Sequence, residues 1–395
     1  MGKSKKNIVF ISHSRLNKVI MNDYAIDKML EKYNFWYWDL SKVVRPCDYE
    51  VVDEVTADYI KIVDDIIEFE MMLNRLDDST ILISDLNHNY IFRAIFKLLK
   101  KYTFTLIHLD LVTIGPHWSA KKTFYSRLKN LFRNPIRYLR FIATMVHMAY
   151  LRKTRKLRNF NYQFSRGELN HKAKKTMAGG SIAINSPDYD YFLKEFSESS
   201  QHSAGESEYA VFLDVYLPYH ADHGLIGIPY LKDPNSYFAS MNALFTAVEK
   251  KYGVEVVIAA HPSAGYQGGE FEGRQIIQGK TNSLVKSSKL VINHHSNSLS
   301  YAVLYDKPCL FCYTDEMFAL YHNSLLHHQN CYAAYLGAST YNISELLKEE
   351  LPDLSRWHSN KHYQRFVNDF LTSASSKDKQ SSDIIINFID SISSN

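Results

Sequence analysis

The strongest constraint on the fold is an alternation of short apolar runs with helix-like stretches, which occurs twice along the 395-residue chain. In the first half the apolar runs are "NIVFIS", "FWYWDL", "STILISD" and "FTLIHLD". After the polar stretch "SESSQHSAGESE" the alternation restarts with "YAVFLDVYL", "VEVVIAAHP", "LVINHHS" and "PCLFCY". Apolar strands separated by amphipathic helices form parallel, doubly wound sheets. The sequence therefore predicts an α/β protein with two Rossmann-like domains, and its length suits two separate cores.

The polar stretch at residues 197–208 has the composition of a linker and predicts the domain boundary. We expect an N-terminal domain at residues 1–200, a C-terminal domain at residues 205–375, and a terminal helix at residues 376–395. Within the first domain we expect a long helix at about residues 53–76 and a basic helical insertion at about residues 118–176. No phosphate-binding P-loop and no G-x-G-x-x-G turn occurs, which disfavours an ATPase or a conventional NAD enzyme.

Positive charge is concentrated in one segment. Residues 111–167 contain thirteen Lys and Arg and no Asp or Glu, although the formal net charge of the whole chain is only +4. Within it, the apolar residues of "NPIRYLRFIATMVHMAYLRK" recur near helical spacing, with arginines at both ends. We expect residues 120–158 to bind an anionic membrane surface. A nucleic-acid-binding protein is the alternative from another class, but no recognisable nucleic-acid module accompanies the basic residues, so no nucleic acid is expected.

The sequence predicts a cytoplasmic protein that is peripheral to the inner membrane. The basic start "MGKSKKNIVF" lacks the pattern of a signal peptide, and the longest uncharged apolar run, Phe141 to Leu151, is too short to cross a bilayer. Cys309 and Cys312 form a C-x-x-C motif, but no second pair completes a zinc site, and "KPCLFCY" is typical of a buried strand. No metal and no other bound cofactor is therefore expected.

Two predicted strands of the second domain end in polar residues. His261 and Pro262 follow "VEVVIAA", and Ser296, Asn297 and Ser298 follow "LVINHH". In open α/β sheets, ligands bind outside the carboxyl ends of the strands, where an imidazole or a helix-capping turn can contact a phosphate. A hydrogen-bonded histidine at the sheet rim and a plain helix cap are the structural alternatives. Together the two strand ends predict a nucleotide phosphate site.

Acidic and basic candidates lie near the same strands. Asp214 lies within the apolar run "YAVFLDVYL", where an ionised carboxylate is costly unless it is hydrogen-bonded or used in catalysis. Fraying of the strand toward Pro218 is the structural alternative, and Asp222 is a second candidate in the same segment. The "HADH" stretch around Asp222 could bind a metal, but such loops are common. Lys280 could neutralise a phosphate, although the sequence favours a solvated surface lysine.

The first domain offers polar residues at strand ends as well. They follow the first strand and the run "TILIS", and they are His13, Ser14, Asp85, Asn87 and His88. We take them as candidates for an acceptor site or a catalytic base.

The H-P pair, the serine-rich turn and "YAVLYDKP", within roughly residues 205–313, resemble the C-terminal half of bacterial GT-B glycosyltransferases that use CMP-activated acidic sugars. These are the Kdo (keto-deoxy-octulosonic acid), sialic acid and polysialic acid transferases of capsule and lipopolysaccharide biosynthesis. The resemblance implies a GT-B fold with a cleft between the domains, and transfer of an acidic keto sugar from CMP to a glycan or glycolipid acceptor. By the same resemblance, His261 contacts the CMP phosphate, and Ser296 and Ser298 bind the same donor.

The stretch "FLDVYLP" resembles a segment of the retaining Kdo transferases in which an aspartate is the nucleophile. The resemblance implies that Asp214 forms a covalent glycosyl-enzyme and that transfer proceeds with retention, with Asp222 as the alternative residue. Two enzymatic alternatives remain open: an inverting, sialyltransferase-like enzyme, and a transferase with another donor such as CDP-glycerol or a UDP-sugar.

Overall fold

The computed structural model describes residues 5–44, 53–109, 135–169, 178–198, 209–220, 230–321, 323–354 and 361–392. The chain divides into two compact units. The first contains the described residues up to Pro187 together with those from Thr372 onward, and the second contains Asp188–Leu371. The chain therefore leaves the first unit, builds the second, and returns to the first for its last helix.

The first unit is built on a parallel sheet of seven strands in the order β3-β2-β1-β4-β5-β6-β7. The strands are β1 (Asn7–Ser12), β2 (Asn34–Asp39), β3 (Ile60–Ile62), β4 (Ile81–Ser84), β5 (Thr105–Leu109), β6 (Phe160–Arg166) and β7 (Ala178–Ile184). The helices between them are α1 (Lys18–Asp23), α2 (Ile26–Lys32), α3 (Ser41–Val44), α4 (Ile66–Leu73), α5 (Arg93–Leu99) and α6 (Pro135–Lys153).

Both faces of this sheet are buried, as the continuous apolar runs predict. Successive side chains of a strand point to opposite faces, so Val9 and Ile11 pack against one layer, and Ile8 and Phe10 against the other. The first layer contains α4, α5 and the end of α6, and the second contains α2 and the last helix of the chain.

The second unit contains a parallel sheet of six strands in the order β10-β9-β8-β11-β12-β13. The strands are β8 (Tyr209–Leu213), β9 (Glu255–Ala260), β10 (Ile276–Gln278), β11 (Leu290–Asn293), β12 (Cys309–Tyr313) and β13 (Thr340–Asn342). The helices are α7 (Pro187–Glu198), α8 (Pro234–Tyr252), α9 (Thr281–Ser287), α10 (Leu299–Leu304), α11 (Asp315–Tyr321), α12 (Asn323–Tyr335), α13 (Ile343–Leu346) and α14 (Lys361–Phe366).

Helix α8 shows how the sequence sets an element. The Asp233 side chain accepts a hydrogen bond from the backbone N–H of Ser236 at the N-terminus, where Pro234 is tolerated because its missing N–H would have no helical partner. Gly253 ends the helix with a left-handed φ of 62°, a conformation that residues with a Cβ adopt at a cost.

The chain ends with α15 (Ser381–Ser391), whose Ile385, Ile386 and Ile389 are buried against the first sheet. Lys6 donates to the carbonyl oxygens of Ile389 and Ile392 at the end of this helix. None of the described helices has the length and apolar character needed to span a membrane.

The predicted fold class is confirmed, since both sheets are parallel and have helices on both faces. The long helix predicted at about residues 53–76 is wrong. Residues 60–62 form the edge strand β3, and α4 begins only after Asp65, whose carboxylate accepts from the N–H groups of Ile67 and Glu68. This cap fixes the start of the helix where apolar spacing alone suggests an earlier one.

Candidate functional site

The sequence candidates of the second unit lie at one edge of its sheet. From β8 the chain builds outward to β9 and β10 on one side, then crosses to β11, β12 and β13 on the other. The carboxyl ends of β8 and β11 therefore form a topological switch point, the usual ligand site of such sheets. Asp214 follows β8, His261 follows β9, Lys280 follows β10, and the Ser296–Ser298 turn follows β11. Because β8 separates β9 from β11, their ends lie roughly 10 Å apart.

Asp214 is buried, with 4% of its surface exposed, and each carboxylate oxygen accepts a backbone hydrogen bond. Oδ1 accepts from the N–H of Tyr216 at 2.9 Å, and Oδ2 accepts from the N–H of His261 at 3.2 Å. Burial raises the pKa of Asp214, and the two N–H groups oppose that effect. Tyr216 has a left-handed φ of 50°, so the carboxylate also stabilises a strained turn.

The contacts of His261 fix which ring nitrogen carries the proton. Nδ1 lies 3.2 Å from the backbone N–H of Ser263 and 2.7 Å from the Ser263 hydroxyl. A backbone N–H can only donate, so Nδ1 is an acceptor, and neutral His261 carries its hydrogen on Nε2. The Gln278 amide donates to the carbonyl oxygens of His261 and Pro262, which holds the backbone of the H-P pair. Neutral His261 therefore carries its ring hydrogen on Nε2, in a loop that these contacts hold in place.

Two further ring side chains complete this part of the site: His220, from the "HADH" stretch, and Tyr266, which no motif in the sequence indicates. The His220 ring lies 4.9 Å from the His261 ring, measured between centroids. The Tyr266 hydroxyl lies beside Asp214, and burial together with that negative charge raises the pKa of Tyr266. Tyr266 therefore remains protonated, and its ring packs on Tyr216 at 5.1 Å between centroids.

The serine-rich turn is held by its own backbone. The Asn293 side chain accepts from the N–H of Ser296, and the Ser296 hydroxyl accepts from the N–H of Ser298. Asn297 is exposed at the tip of the turn. These bonds fix the turn as a rigid start to α10, so its outer polar groups have a defined position.

A small pocket lies beside this turn at the end of β11. Its lining residues are Asn293, His294, His295, Ser296, Asn297, Leu299, His328, Gln329 and Tyr332. Nε2 of His295 is 2.9 Å from Nδ1 of His328, and burial lowers the pKa of His295 to about 4. The sequence analysis does not select these histidines, because His328 comes from α12 and reaches the turn only through tertiary packing.

Two buried acceptor atoms belong to residues that line this pocket. Nδ1 of His294 donates to the carbonyl of Cys312, which leaves Nε2 with a lone pair, and burial lowers the pKa of His294 to about 4. The Gln329 amide nitrogen donates to the carbonyls of Cys312 and Asn293, so its Oε1 is an acceptor. Within the described part of the chain, neither His294 Nε2 nor Gln329 Oε1 has a hydrogen-bond partner.

The remaining sequence candidates are distributed differently. Lys280 is exposed just before α9, and Asp222 lies outside the described residues. In the first unit, His88 is held by a 2.8 Å bond between Nε2 and the carbonyl of Arg158, and burial lowers its pKa to about 4. His13 and Asp85, by contrast, contact each other, with Nδ1 and Oδ1 3.6 Å apart.

The C-x-x-C motif is part of the core. Cys309 and Cys312 are both buried in β12, and burial raises the pKa of Cys309 to about 12. Among the described residues, no group of three or more His, Cys, Asp or Glu side chains is arranged to hold a metal ion.

No protein-family model matches the chain, and no curated protein is similar to it in sequence. Three solved structures illustrate its similarity in fold. A UDP-GlcNAc 2-epimerase from Methanocaldococcus jannaschii, in complex with UDP-GlcNAc and UDP, matches with a TM-score of 0.48 and 12% identity over 98% of this chain and 99% of that chain. The wall teichoic acid polymerase TagF matches with a TM-score of 0.49 and 14% identity, over 98% of this chain and 88% of that chain.

The third structure is a UDP-N-acetylglucosamine 2-epimerase from Rickettsia bellii, with a TM-score of 0.45 and 9% identity over 98% of this chain and 96% of that chain. At this level of similarity the three structures do not decide between activities.

Proposed function

We propose that this protein is a GT-B glycosyltransferase that moves an acidic keto sugar, Kdo or a related one, from its CMP donor to a glycan or glycolipid acceptor. The second unit binds the donor nucleotide and the first unit binds the acceptor. The observation that carries the proposal is His261, whose fixed ring presents an Nε2–H donor at the carboxyl edge of the second sheet.

The carboxyl edge of the second sheet offers hydrogen-bond donors that suit the phosphate of the donor nucleotide. An imidazole N–H and the polar groups of the Ser296–Ser298 turn lie on strands that flank β8, about 10 Å apart. A donor nucleotide that lies across the end of β8 can contact both. His261 can then stabilise the charge on the departing phosphate, and a protonated imidazole can supply it with a proton.

Two buried acceptor atoms beside the turn favour cytosine as the base. His294 Nε2 and Gln329 Oε1 are acceptors without partners among the described residues, and both residues line the pocket. The exocyclic amine of cytosine is a hydrogen-bond donor, whereas uracil has an acceptor at that position. A site built to receive N–H donors rejects a ligand that lacks them, because its buried acceptors are then left unpaired.

Titration calorimetry with CMP, UMP, CDP, UDP and ADP tests the donor. We expect CMP to bind more than tenfold more tightly than UMP, and His261→Ala to weaken CMP binding. CDP as the preferred ligand would favour a CDP-glycerol donor, and UDP would favour a UDP-sugar. A preference for ADP, or binding of no nucleotide at all, would contradict the proposal.

The stereochemical course depends on Asp214. Retention requires its carboxylate to attack the sugar, which means leaving the backbone N–H groups of Tyr216 and His261. In an inverting transfer Asp214 can keep both hydrogen bonds, because the residue then only holds the turn and the His261 backbone in place. Retention through Asp214, with Asp222 as its substitute, stays the first prediction to test, and inversion is the route that these two hydrogen bonds favour.

Intact-mass spectrometry after incubation with CMP-Kdo alone separates the two routes. Retention predicts one added sugar that disappears in Asp214→Ala, and a product of retained anomeric configuration by NMR. An unmodified mass with an inverted product would rule retention out. An adduct on Asp222 would keep the mechanism and move the nucleophile.

We also propose that α6 docks on an anionic membrane, which would bring the enzyme to a lipid-linked acceptor. Six apolar residues within about half of the helix circumference are 40–63% exposed: Leu139, Phe141, Ile142, Met145, Val146 and Tyr150. Met148 and Leu151 anchor the helix in the core of the first unit. Arg140 and Lys153 are exposed beside the apolar face, and each such charge contributes about 1 kcal/mol near an anionic surface.

Vesicle flotation tests this surface. Binding should require phosphatidylglycerol, weaken at high salt, and fall at least tenfold in the double variant Leu139→Ser and Val146→Ser. Ile67→Ser is the matched control, because Ile67 is 65% exposed on α4 of the same unit. Equal binding to neutral phosphatidylcholine vesicles, or salt-sensitive binding to RNA in place of vesicles, would contradict the membrane proposal.

A further inference from the structure

The first sheet has a switch point of its own, and a histidine and an aspartate meet there. In the order β3-β2-β1-β4-β5-β6-β7, strands are added on one side of β1 up to β3 and then on its other side from β4 onward. The carboxyl ends of β1 and β4 therefore border the usual ligand site. His13 follows β1 and Asp85 follows β4. His13 Nδ1 and Asp85 Oδ1 are 3.6 Å apart, and neither atom has a hydrogen-bond partner among the described residues.

The Asp85 carboxylate is fixed by two hydroxyl groups. Oδ2 accepts from the Ser12 hydroxyl at 2.6 Å and from the Tyr24 hydroxyl at 3.5 Å. Burial, followed by the charge of Asp85, raises the pKa of Tyr24, so that this hydroxyl stays protonated as a donor. With Oδ2 occupied, Oδ1 is the oxygen that faces the imidazole.

The His13 loop is equally constrained. The Ser12 hydroxyl accepts from the N–H of Ser14, and the Tyr37 hydroxyl donates to the Ser14 carbonyl. The edge of the His13 ring packs on Phe92, with 5.2 Å between centroids. Nδ1 is buried, yet 26% of the His13 side chain is exposed, so a ligand can reach the ring on a side other than Nδ1.

We propose that His13 is the catalytic base that takes the proton from the attacking hydroxyl, and that Asp85 is its positioning residue. This inference rests on the glycosyltransferase function proposed above. In the proposed dyad, the Asp85 carboxylate attracts Nδ1–H across the 3.6 Å gap, which leaves the Nε2 lone pair for the substrate. As the acceptor oxygen bonds to the anomeric carbon of the sugar, its proton passes to Nε2. The bond between the electrophilic carbon and its leaving group breaks with its electron pair, and Asp85 balances the imidazolium.

The base is required on either stereochemical route. In a single displacement the acceptor hydroxyl loses its proton as CMP departs. In a double displacement it does so in the second step, as the bond between sugar and enzyme carboxylate breaks. The first unit therefore contributes proton abstraction, and the second contributes donor binding.

Charged groups from several elements lie near the dyad. Arg166, which is buried at the end of β6, lies close enough to lower the pKa of Tyr24 in opposition to Asp85. Arg15, two residues beyond His13, pairs with Glu54 at 3.3 Å. Variants that test the dyad should leave Arg166, Arg15 and Glu54 unchanged.

The tautomer of His13 can be measured without any substrate. Two-dimensional NMR of the ring nitrogens should show the Nδ1–H tautomer for neutral His13 in the wild type. In Asp85→Asn the population of this tautomer should fall, because the amide nitrogen can take the place of the accepting oxygen. An Nε2–H tautomer in the wild-type protein would overturn the proposal.

Enzymatic CMP release from CMP-Kdo, with water as the hydroxyl-bearing acceptor, tests the chemistry. We expect His13→Ala to lower the rate about 100-fold, while CMP affinity stays within twofold of the wild type. Added imidazole should restore part of this activity. His147→Ala is the matched control, because His147 is exposed on α6 of the same unit.

The coupling between the two residues gives a second readout. If they act as a unit, Asp85→Asn should add little to the loss already caused by His13→Ala. CMP binding in the second unit and a cooperative thermal transition report that each variant is folded. Near-normal CMP release by His13→Ala with intact CMP binding would refute the dyad. A wild-type protein that binds no nucleotide would instead refute the proposed function.

Discussion

Substituting Asp214 should separate its structural contribution from its chemistry. Its two oxygens accept from the backbone N–H groups of Tyr216 and His261, and the side chain is 4% exposed. In Asp214→Asn, one N–H keeps an acceptor and the other faces the amide nitrogen. One unpaired buried donor costs about 1–3 kcal/mol, so we expect a loss of about 2 kcal/mol in the free energy of unfolding. Asp214→Ala unpairs both donors and should cost about twice as much.

The assay is urea unfolding, followed by far-UV circular dichroism, at several pH values. Burial raises the pKa of Asp214 in the folded protein above its unfolded value of about 3.9. Asp214 therefore contributes stability that is fully present below about pH 4 and is lost as the pH rises through the folded pKa. Asparagine does not titrate. The stability advantage of the wild type over Asp214→Asn should thus be greater at about pH 4.5 than at about pH 8.

Asp78→Asn is the control, because Asp78 is exposed and its substitution should change stability by less than about 0.5 kcal/mol. The structural reasoning would be refuted if Asp214→Ala were as stable as this control. A stability advantage of the wild type over Asp214→Asn that grew with rising pH would refute the assignment of the pKa shift. A stable, folded Asp214→Asn with no turnover would instead support the nucleophile.

Three further predictions follow from the described contacts. His261→Ala should lower turnover about 100-fold, and Ser263→Ala should lower it less, because Ser263 only holds the His261 tautomer; steady-state assays of CMP release check both. At about pH 8, Cys309 should resist iodoacetamide in the folded protein and react in urea, because burial raises its pKa to about 12; peptide mass spectrometry would show the modification. Ile389→Ala should cost about 3 kcal/mol, measured by urea unfolding, because the α15 side chain is fully buried.

The long strands were predictable because both faces of a parallel sheet are buried, so that "NIVFIS" and "VEVVIAA" appear as continuous apolar runs. The missed strands β3 and β13 have three residues each and lie at sheet edges, where one side is unpaired and polar residues are tolerated. Strand β6, "FNYQFSR", is polar and lies inside the basic segment. Its pairing with β5 and β7 defines it as a strand.

The strand ends were equally predictable, since His261 and Asp214 both follow apolar runs. Their contact was not, because it depends on the parallel register that places the Asp214 N–H on the Ala259 carbonyl. Ser263 lies two residues after His261, so the sequence "HPS" already contains the residue whose backbone N–H donates to Nδ1 and fixes the ring. His328 had no such local signal, because α12 reaches the site only through tertiary packing.

The two histidine-aspartate pairs differ in which histidine atom the carboxylate contacts, and this difference decides what each imidazole can do. Asp85 faces the Nδ1 side of the His13 ring, which in the proposed dyad leaves a lone pair on Nε2 to accept a proton. Asp214 instead accepts from the His261 backbone, while Ser263 donates to Nδ1, so the Nε2 of His261 carries a hydrogen and can donate it. Transfer of a sugar from a phosphate to a hydroxyl needs one group of each kind: a base for the hydroxyl and a donor for the departing phosphate. We therefore expect Asp85→Asn to lower transfer by disturbing the His13 tautomer, and Ser263→Ala to lower it less, because the backbone N–H at position 263 still donates to Nδ1 of His261.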